Sequence, residues 1–280
     1  MGAARHAPGN ALMPELPDVE TFKRTVADRC RGRTIDHASV SDAGILEGIS
    51  AKEFERRLKG EQVRSAHRHG KHLFLELSGA GVVAMHFGTN GFPQIVQEPA
   101  TDPPYTRLVL VFAAGDRFAY VNPRRIGRVS LAQSVEAFIA DAALGPDALD
   151  QHFDQPAFAE ILAGRRRDIK SVLMDQALVA GIGNIYSDEI LFQAGLHPGI
   201  AADRLSRESA TRLFRAMKKT LETAVDRGAG SERDIERLPK SFLLRERHAG
   251  GHCPKCATPL ATEKRGGRTS YFCRRCQTKE

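Results

Sequence analysis

Residues 168–198 read DIKSVLMDQALVAGIGNIYSDEILFQAGLHP, and the fold of the second half turns on how they are punctuated. The segment divides into a helix, a tight corner at Gly181-Ile182-Gly183-Asn184 and a second helix stopped by Gly195 and Pro198. Asn184 suits the N-cap of that second helix, and the glycines would let backbone N–H groups approach a phosphate closely. An ordinary helical corner has the same letters. The basic run Arg165, Arg166, Arg167 and Lys170 just upstream favours a phosphate-binding element, even though a charge run by itself usually marks a solvated face.

Helical signals surround this segment. They begin near Ser134 and are clearest over Leu205–Val225, where Leu213, Met217, Leu221 and Val225 line one face and Arg212, Arg215, Lys218, Lys219 and Glu222 the other. Pro239 opens a different kind of chain. Cys253-Pro-Lys-Cys256 and Cys273-Arg-Arg-Cys276 stand sixteen residues apart, with a Gly266-Gly267 turn between them. Each C-x-x-C pair can turn two thiolates toward one tetrahedral ion, so Cys253, Cys256, Cys273 and Cys276 form a closed site for one structural zinc ion. Two disulfides would use the same residues, but no secretory signal is visible in residues 1–13 to route the chain to an oxidising compartment. A tail this short has too little core to fold alone, and the metal supplies the missing stability. Lone Cys30 reads as a buried or idle thiol. The charge follows the same division: residues 239–280 hold ten Lys and Arg against three acids, which accounts for the whole net charge of +7 and suits a polyanionic partner.

Toward the N-terminus the signal changes to strands. Leu73–Leu77 and Val82–Phe87 flank a Ser-Gly-Ala-Gly turn, and Arg107–Phe112 and Arg117–Val121 flank an Ala-Ala-Gly-Asp turn, so hairpins and an antiparallel sandwich or barrel are expected. A helix over Pro17–Cys30 precedes them, with Pro17 in its first turn and Asp18 and Glu20 at the end where acids are favourable. A length of 280 residues implies two domains and a small appendage. A composition 41% hydrophobic and 27% charged, without a bilayer-length apolar run, excludes a disordered chain and a helical membrane protein.

Pro14-Glu15-Leu16-Pro17-Asp18-Val19-Glu20, Asn122-Pro123-Arg124-Arg125, the segment GIGNIYSDEILFQAGLHP and the ending GRTSYFCRRCQ occur in that order. Together they resemble the formamidopyrimidine-DNA glycosylase / endonuclease VIII family of DNA repair enzymes, in its formamidopyrimidine branch, from Pro14 to Gln277. The resemblance implies an α+β chain: an N-terminal antiparallel β-sandwich (14–130), a helix-two-turn-helix domain (131–238) and a C-terminal zinc-finger hairpin (239–280), with 1–13 as an extension. It implies excision of oxidised or ring-opened bases from damaged double-stranded DNA, with strand cleavage by β,δ-elimination. The expected setting is a monomer in the bacterial cytoplasm, associated with the nucleoid and with no membrane.

The same resemblance assigns roles. Pro14 is the nucleophile, whose secondary amine attacks the sugar C1′ and opens to a charged iminium that acidifies the C2′ proton. An α-amino group titrates near ~8, so a useful share is unprotonated at neutral pH. Glu15 protonates the opening deoxyribose, Lys71 is the strand lysine near the lesion, and Arg268 grips a phosphate and assists the second elimination. Asn184 and Arg165 or Arg166 contact phosphate. Arg124 enters the duplex to hold the orphaned base, and Tyr105 stands about where a DNA-contacting His is found. His67, His69 and His72 read as a basic strand entry rather than a metal cluster.

Departures from the family pattern concern the lesion and the nucleophile. Thr89 stands where Met is common and Ile126 where Phe is common, a pair that stacks poorly in the gap left by a flipped base. Gly228–Leu244 looks too short for the full capping loop, which leaves abasic sites, ring-opened purines and oxidised pyrimidines all open as substrates. Thirteen residues precede Pro14, and an internal proline has no free amine. Met13 suggests the resolution: with translation from Met13 and its removal, the active form begins at Pro14, and the upstream residues are a gene-start artefact or a processed leader. Two rival classes are a non-catalytic damaged-DNA-binding protein that keeps the clamp, and a zinc-ribbon RNA-binding factor, which gives Pro14-Glu15 and Arg124 no purpose.

Overall fold

The computed structural model describes residues 13–279, so the expected extension lies outside the described residues except for Met13. Helix α1 (Leu16–Cys30) begins one residue before its sequence signal. Glu15 is its N-cap and Asp18 the capping-box partner, the Asp18 carboxylate accepting the Glu15 N–H at 2.9 Å. Leu16, Val19, Phe22, Val26 and Cys30 bury one face of this helix, and burial pushes the Cys30 thiol up to about 12.

Eight strands follow: β1 (Ile35–Val40), β2 (Val63–His69), β3 (His72–Leu77), β4 (Val82–His86), β5 (Phe92–Val96), β6 (Thr106–Phe112), β7 (Arg117–Val121) and β8 (Arg128–Ala132). They form two antiparallel sheets, ordered β1-β6-β7-β5 and β2-β3-β4-β8, with a shared apolar core between them. The two hairpins read from the sequence, β3-β4 and β6-β7, are the centres of different sheets. Every strand the reading missed is an edge strand, where one side carries no ladder and the sequence is free to be polar. β2 reads VRSAHRH, and β5 contains Pro93, which only an edge tolerates. Short α2 (Ala51–Leu58), capped by Ser50, was also not signalled and buries Phe54 and Leu58. Helix α3 (Val135–Asp141) packs Phe138 on Phe74 on the far side of the β3 sheet, so it sits with the strands.

A second core gathers α4 (Gln155–Leu162), α5 (Ile169–Met174), α6 (Asn184–Ala194) and α7 (Arg207–Arg227). Leu16 belongs to this core while Val19, Phe22 and Val26 belong to the first, so α1 joins the two halves. Helix α6 is buried almost all round, because α5, α7 and the tail each cover a face. Gly228 ends α7 in a left-handed conformation (φ 61°). The chain then folds back on α1, where the Asp18 carboxylate accepts the Ser231 N–H and hydroxyl. In the tail, β9 (Ala261–Arg265) and β10 (Arg268–Phe272) pair across Gly266-Gly267 as expected. No helix among the described residues is long and apolar enough to cross a membrane.

Candidate active site

The Glu15 carboxylate links the start of α1 to the start of α6, at the junction between the two halves. It is 2% exposed and accepts three backbone N–H groups at the start of α6: Gly183 at 2.7 Å, Ile185 at 2.8 Å and Tyr186 at 3.1 Å. This corrects two expectations. The N-cap of α6 is Gly183, not Asn184, and it uses no side chain of its own, because Glu15 fills the helix N-terminus from another element. The glycines of the corner serve protein packing, not approach to a phosphate: a Cβ at Gly183 would lie 2.5 Å from the Glu15 Cδ, and one at Gly181 2.6 Å from Leu16. An anionic side chain against three amides and a helix dipole is strongly held. Burial still raises its pKa, opposed first by the Lys71 ammonium and then by the amides.

Lys71 occupies the tight turn between β2 and β3 and is 6% exposed, so it is not a solvated strand-start residue. The turn is anchored from below. Asp147 accepts the Gly70 N–H at 2.6 Å and forms a two-contact ion pair with buried Arg68, whose guanidinium also donates to the Gly70 carbonyl at 3.0 Å. Gly70 (φ 55°) lies against Ala180 and Gly181, which brings the Lys71 turn up to the corner that holds Glu15. Desolvation lowers the Lys71 pKa, Glu15 opposes this, and the Arg268 charge pushes it further down. Met13 and Glu15, on either side of buried Pro14, line a cleft of ≈ 740 Å³ together with Lys71, Asn184 and Arg268.

Beneath that cleft lies an ion network the sequence reading did not contain. Lys170, expected among the phosphate-binding cations, is completely buried: its ammonium donates to Asp188 at 2.6 Å and to the Asn184 Oδ1 at 2.8 Å. Asp188 also accepts the Arg247 Nε at 2.9 Å and the Tyr271 N–H at 3.1 Å, and Arg247 stacks over the Tyr271 ring at 4.9 Å. One carboxylate therefore ties the α5–α6 corner to strand β10, which carries Arg268. Asp188 lies inside the quoted segment, where it reads as an ordinary helix acid, and Arg247 reads as one more charge in a basic tail. Only the tertiary fold gives either a partner.

Other predicted residues lie outside this cleft. Arg124 is exposed in the turn after β7, a loop held by buried Asn122, whose side chain donates to the Phe87 carbonyl at 2.8 Å and accepts the Gly127 N–H at 3.3 Å. The neighbouring Arg125 pairs with Asp42. Arg165 folds back on α4 and donates to the Ile161 carbonyl at 2.5 Å, a helix-end contact, whereas Arg166 is exposed. His69 bonds the Gly145 carbonyl and His72 packs on His86, so these rings are structural.

The four tail thiols lie within 4.8 Å of one another, the one metal-type cluster found among the described residues. Sequence comparison matches residues 13–129 to the formamidopyrimidine-DNA glycosylase N-terminal domain, 144–236 to its H2TH domain, and 250–279 to the zinc finger found in FPG and IleRS. The chain belongs to the formamidopyrimidine-DNA glycosylase family. Its relatives include the formamidopyrimidine-DNA glycosylase of Moorella thermoacetica, 40% identical over 89% of this chain and 93% of that protein. The Pectobacterium atrosepticum enzyme of the same name is 35% identical over 95% of this chain and all of that one. Among solved structures, Lactococcus lactis FPG (MutM) in complex with a FAPY-dG containing DNA is 27% identical with a TM-score of 0.86, covering 95% of this chain and 100% of that one. The same protein non-covalently bound to an AP site containing DNA superposes with a TM-score of 0.84. The tail is thus a family zinc finger, and its four-sulfur donor set fits one structural zinc with no open position.

Proposed function

We propose that this glycosylase-family protein removes oxidised or ring-opened bases from damaged double-stranded DNA and then cuts the strand as an AP lyase. The reading is carried by one observation: a buried carboxylate, Glu15, directly follows Pro14 and is pinned by three amides at the wall of a cleft that also receives Lys71 and Arg268. The free amine of Pro14 attacks C1′ as the base departs. Glu15 passes a proton to the ring oxygen as the deoxyribose opens, and burial shifts its pKa upward, the direction that suits a general acid. The resulting iminium withdraws electrons from C2′. Loss of the C2′ proton expels the 3′ phosphate, and a second elimination, assisted by Arg268 at the phosphate, expels the 5′ phosphate. Lys71, less basic than usual through burial, sits beside Glu15 to donate to phosphate or exchange a proton. Asn184, with its oxygen fixed by Lys170, turns its amide toward a phosphate, and exposed Arg166 adds a backbone contact. Cys253, Cys256, Cys273 and Cys276 would hold one structural zinc ion, which would stiffen the finger that carries Arg268. We place the work in the bacterial cytoplasm, by a monomer.

The test is product analysis on duplexes carrying 8-oxoguanine, a formamidopyrimidine, an oxidised pyrimidine or an abasic site. Strand cleavage leaving phosphate at both ends of a one-nucleotide gap is expected on at least one of them. Tight binding to all with cleavage of none, by protein beginning at Pro14, would make the chain a non-catalytic damage binder.

A further inference from the structure

Thr89, at the position expected to fill the gap left by a flipped base, is 6% exposed and cannot protrude into a duplex. The large hydrophobic side chains that are exposed among the described residues are two, Tyr105 at 60% and Ile126 at 47%. Both belong to the loop cluster organised by Asn122. The Asn122 N–H donates to the Tyr105 carbonyl at 3.0 Å, and its Oδ1 accepts from Gly127, the residue after Ile126. Arg124, exposed in the same loop, lies between them in the chain.

Tyr105 is held in this position at a cost. Its φ is 66°, a left-handed conformation that a bulky residue rarely adopts and that persists only where surrounding contacts impose it. Here the Asn122 bond imposes it, and Arg107, whose Nε donates to the Asn122 carbonyl at 3.0 Å, lies 5.9 Å from the Tyr105 ring. An aromatic ring kept in water by a strained backbone, with the Arg107 guanidinium beside it, matches what an unstacked nucleobase needs: a flat apolar face next to positive charge.

We infer that Tyr105 is the stacking residue of this protein's DNA interface, its ring taking the face of a base exposed when the damaged nucleotide leaves the helix, with Ile126 packing at its edge. The inference rests on the DNA-repair reading above and assigns to Tyr105 the role that Thr89 is too buried to fill.

The experiment uses the full chain and a duplex with a tetrahydrofuran abasic analogue opposite or beside 2-aminopurine, whose fluorescence falls when it stacks. Binding of the wild type quenches the probe at one of these positions. Tyr105→Ala weakens binding roughly tenfold and restores the fluorescence, while Tyr105→Phe keeps both near wild type. Equal losses in the Ala and Phe variants would show that the hydroxyl, not the ring face, makes the contact, and would overturn the proposal. Unchanged affinity and quenching in Tyr105→Ala would overturn it as well. Failure of the repair reading shows separately, as a wild type that does not prefer the abasic duplex over an undamaged one.

Discussion

Glu15 joins structure and chemistry in one side chain. Its carboxylate closes the N-terminus of α6 and faces Lys71 in the cleft, so its position is fixed before any substrate arrives. Glu15→Gln keeps the shape but removes the charge and the titratable proton, and base excision is expected to fall by about 10²–10⁴ in single-turnover assays. Gly183→Ala acts on the same contact from the other side. A Cβ 2.5 Å from the Glu15 Cδ forces the carboxylate away, with an expected loss of roughly 1–3 kcal/mol in denaturant unfolding and of excision together. The four cysteines were legible in the sequence because their spacing is a local motif, whereas Glu15 and Arg268, which line one cleft, were singled out through the family resemblance. Lys170 was misplaced among the DNA contacts because burial and a partner eighteen residues away leave no local mark.

Among the elements, central strands and amphipathic helices could be read, and the edge strands of the two four-stranded sheets could not, since the period-two pattern weakens where a strand has one neighbour. Helix α6 was found through its boundary residues, not through an apolar stripe, because it is buried on every side. Its Glu189 carries a consequence for stability. Fully buried and hydrogen-bonded to Gln193 and the Leu244 N–H, it has a pKa pushed up by desolvation to about 7 from an ordinary 4.5. A raised folded-state value means that its contribution is complete below the unfolded value near 4.5 and is lost as pH rises through 7. Thermal unfolding between pH 5 and 8 should therefore show wild type losing on the order of 3 kcal/mol more than Glu189→Gln. Parallel curves for the two proteins would mean that Glu189 does not titrate in this range. On the other side of the junction, Asp147→Ala strands buried Arg68 beneath the Lys71 turn and should cost about 3–5 kcal/mol.

At the scale of the molecule, the excess positive charge of the tail gains a specific purpose. The tail is a zinc-stapled hairpin whose strand β10 is fastened to α6 through Asp188, so that Arg268 faces the same cleft as Glu15 and Lys71. Chelation of the zinc should abolish strand cleavage while the two larger cores keep most of their secondary structure, seen as lost nicking activity with a small change in far-UV circular dichroism. The central claim is that the junction exists to present a secondary amine to a sugar, and borohydride reduction tests it most directly. Protein beginning at Pro14, mixed with abasic duplex and reduced, is expected to give a covalent complex whose digest carries the sugar adduct on the peptide starting at Pro14. The same chain with Met13 still peptide-bonded to Pro14 should give none. A Pro14-start protein that binds the duplex yet yields no adduct, or an adduct mapped to Lys71 instead, would contradict the account.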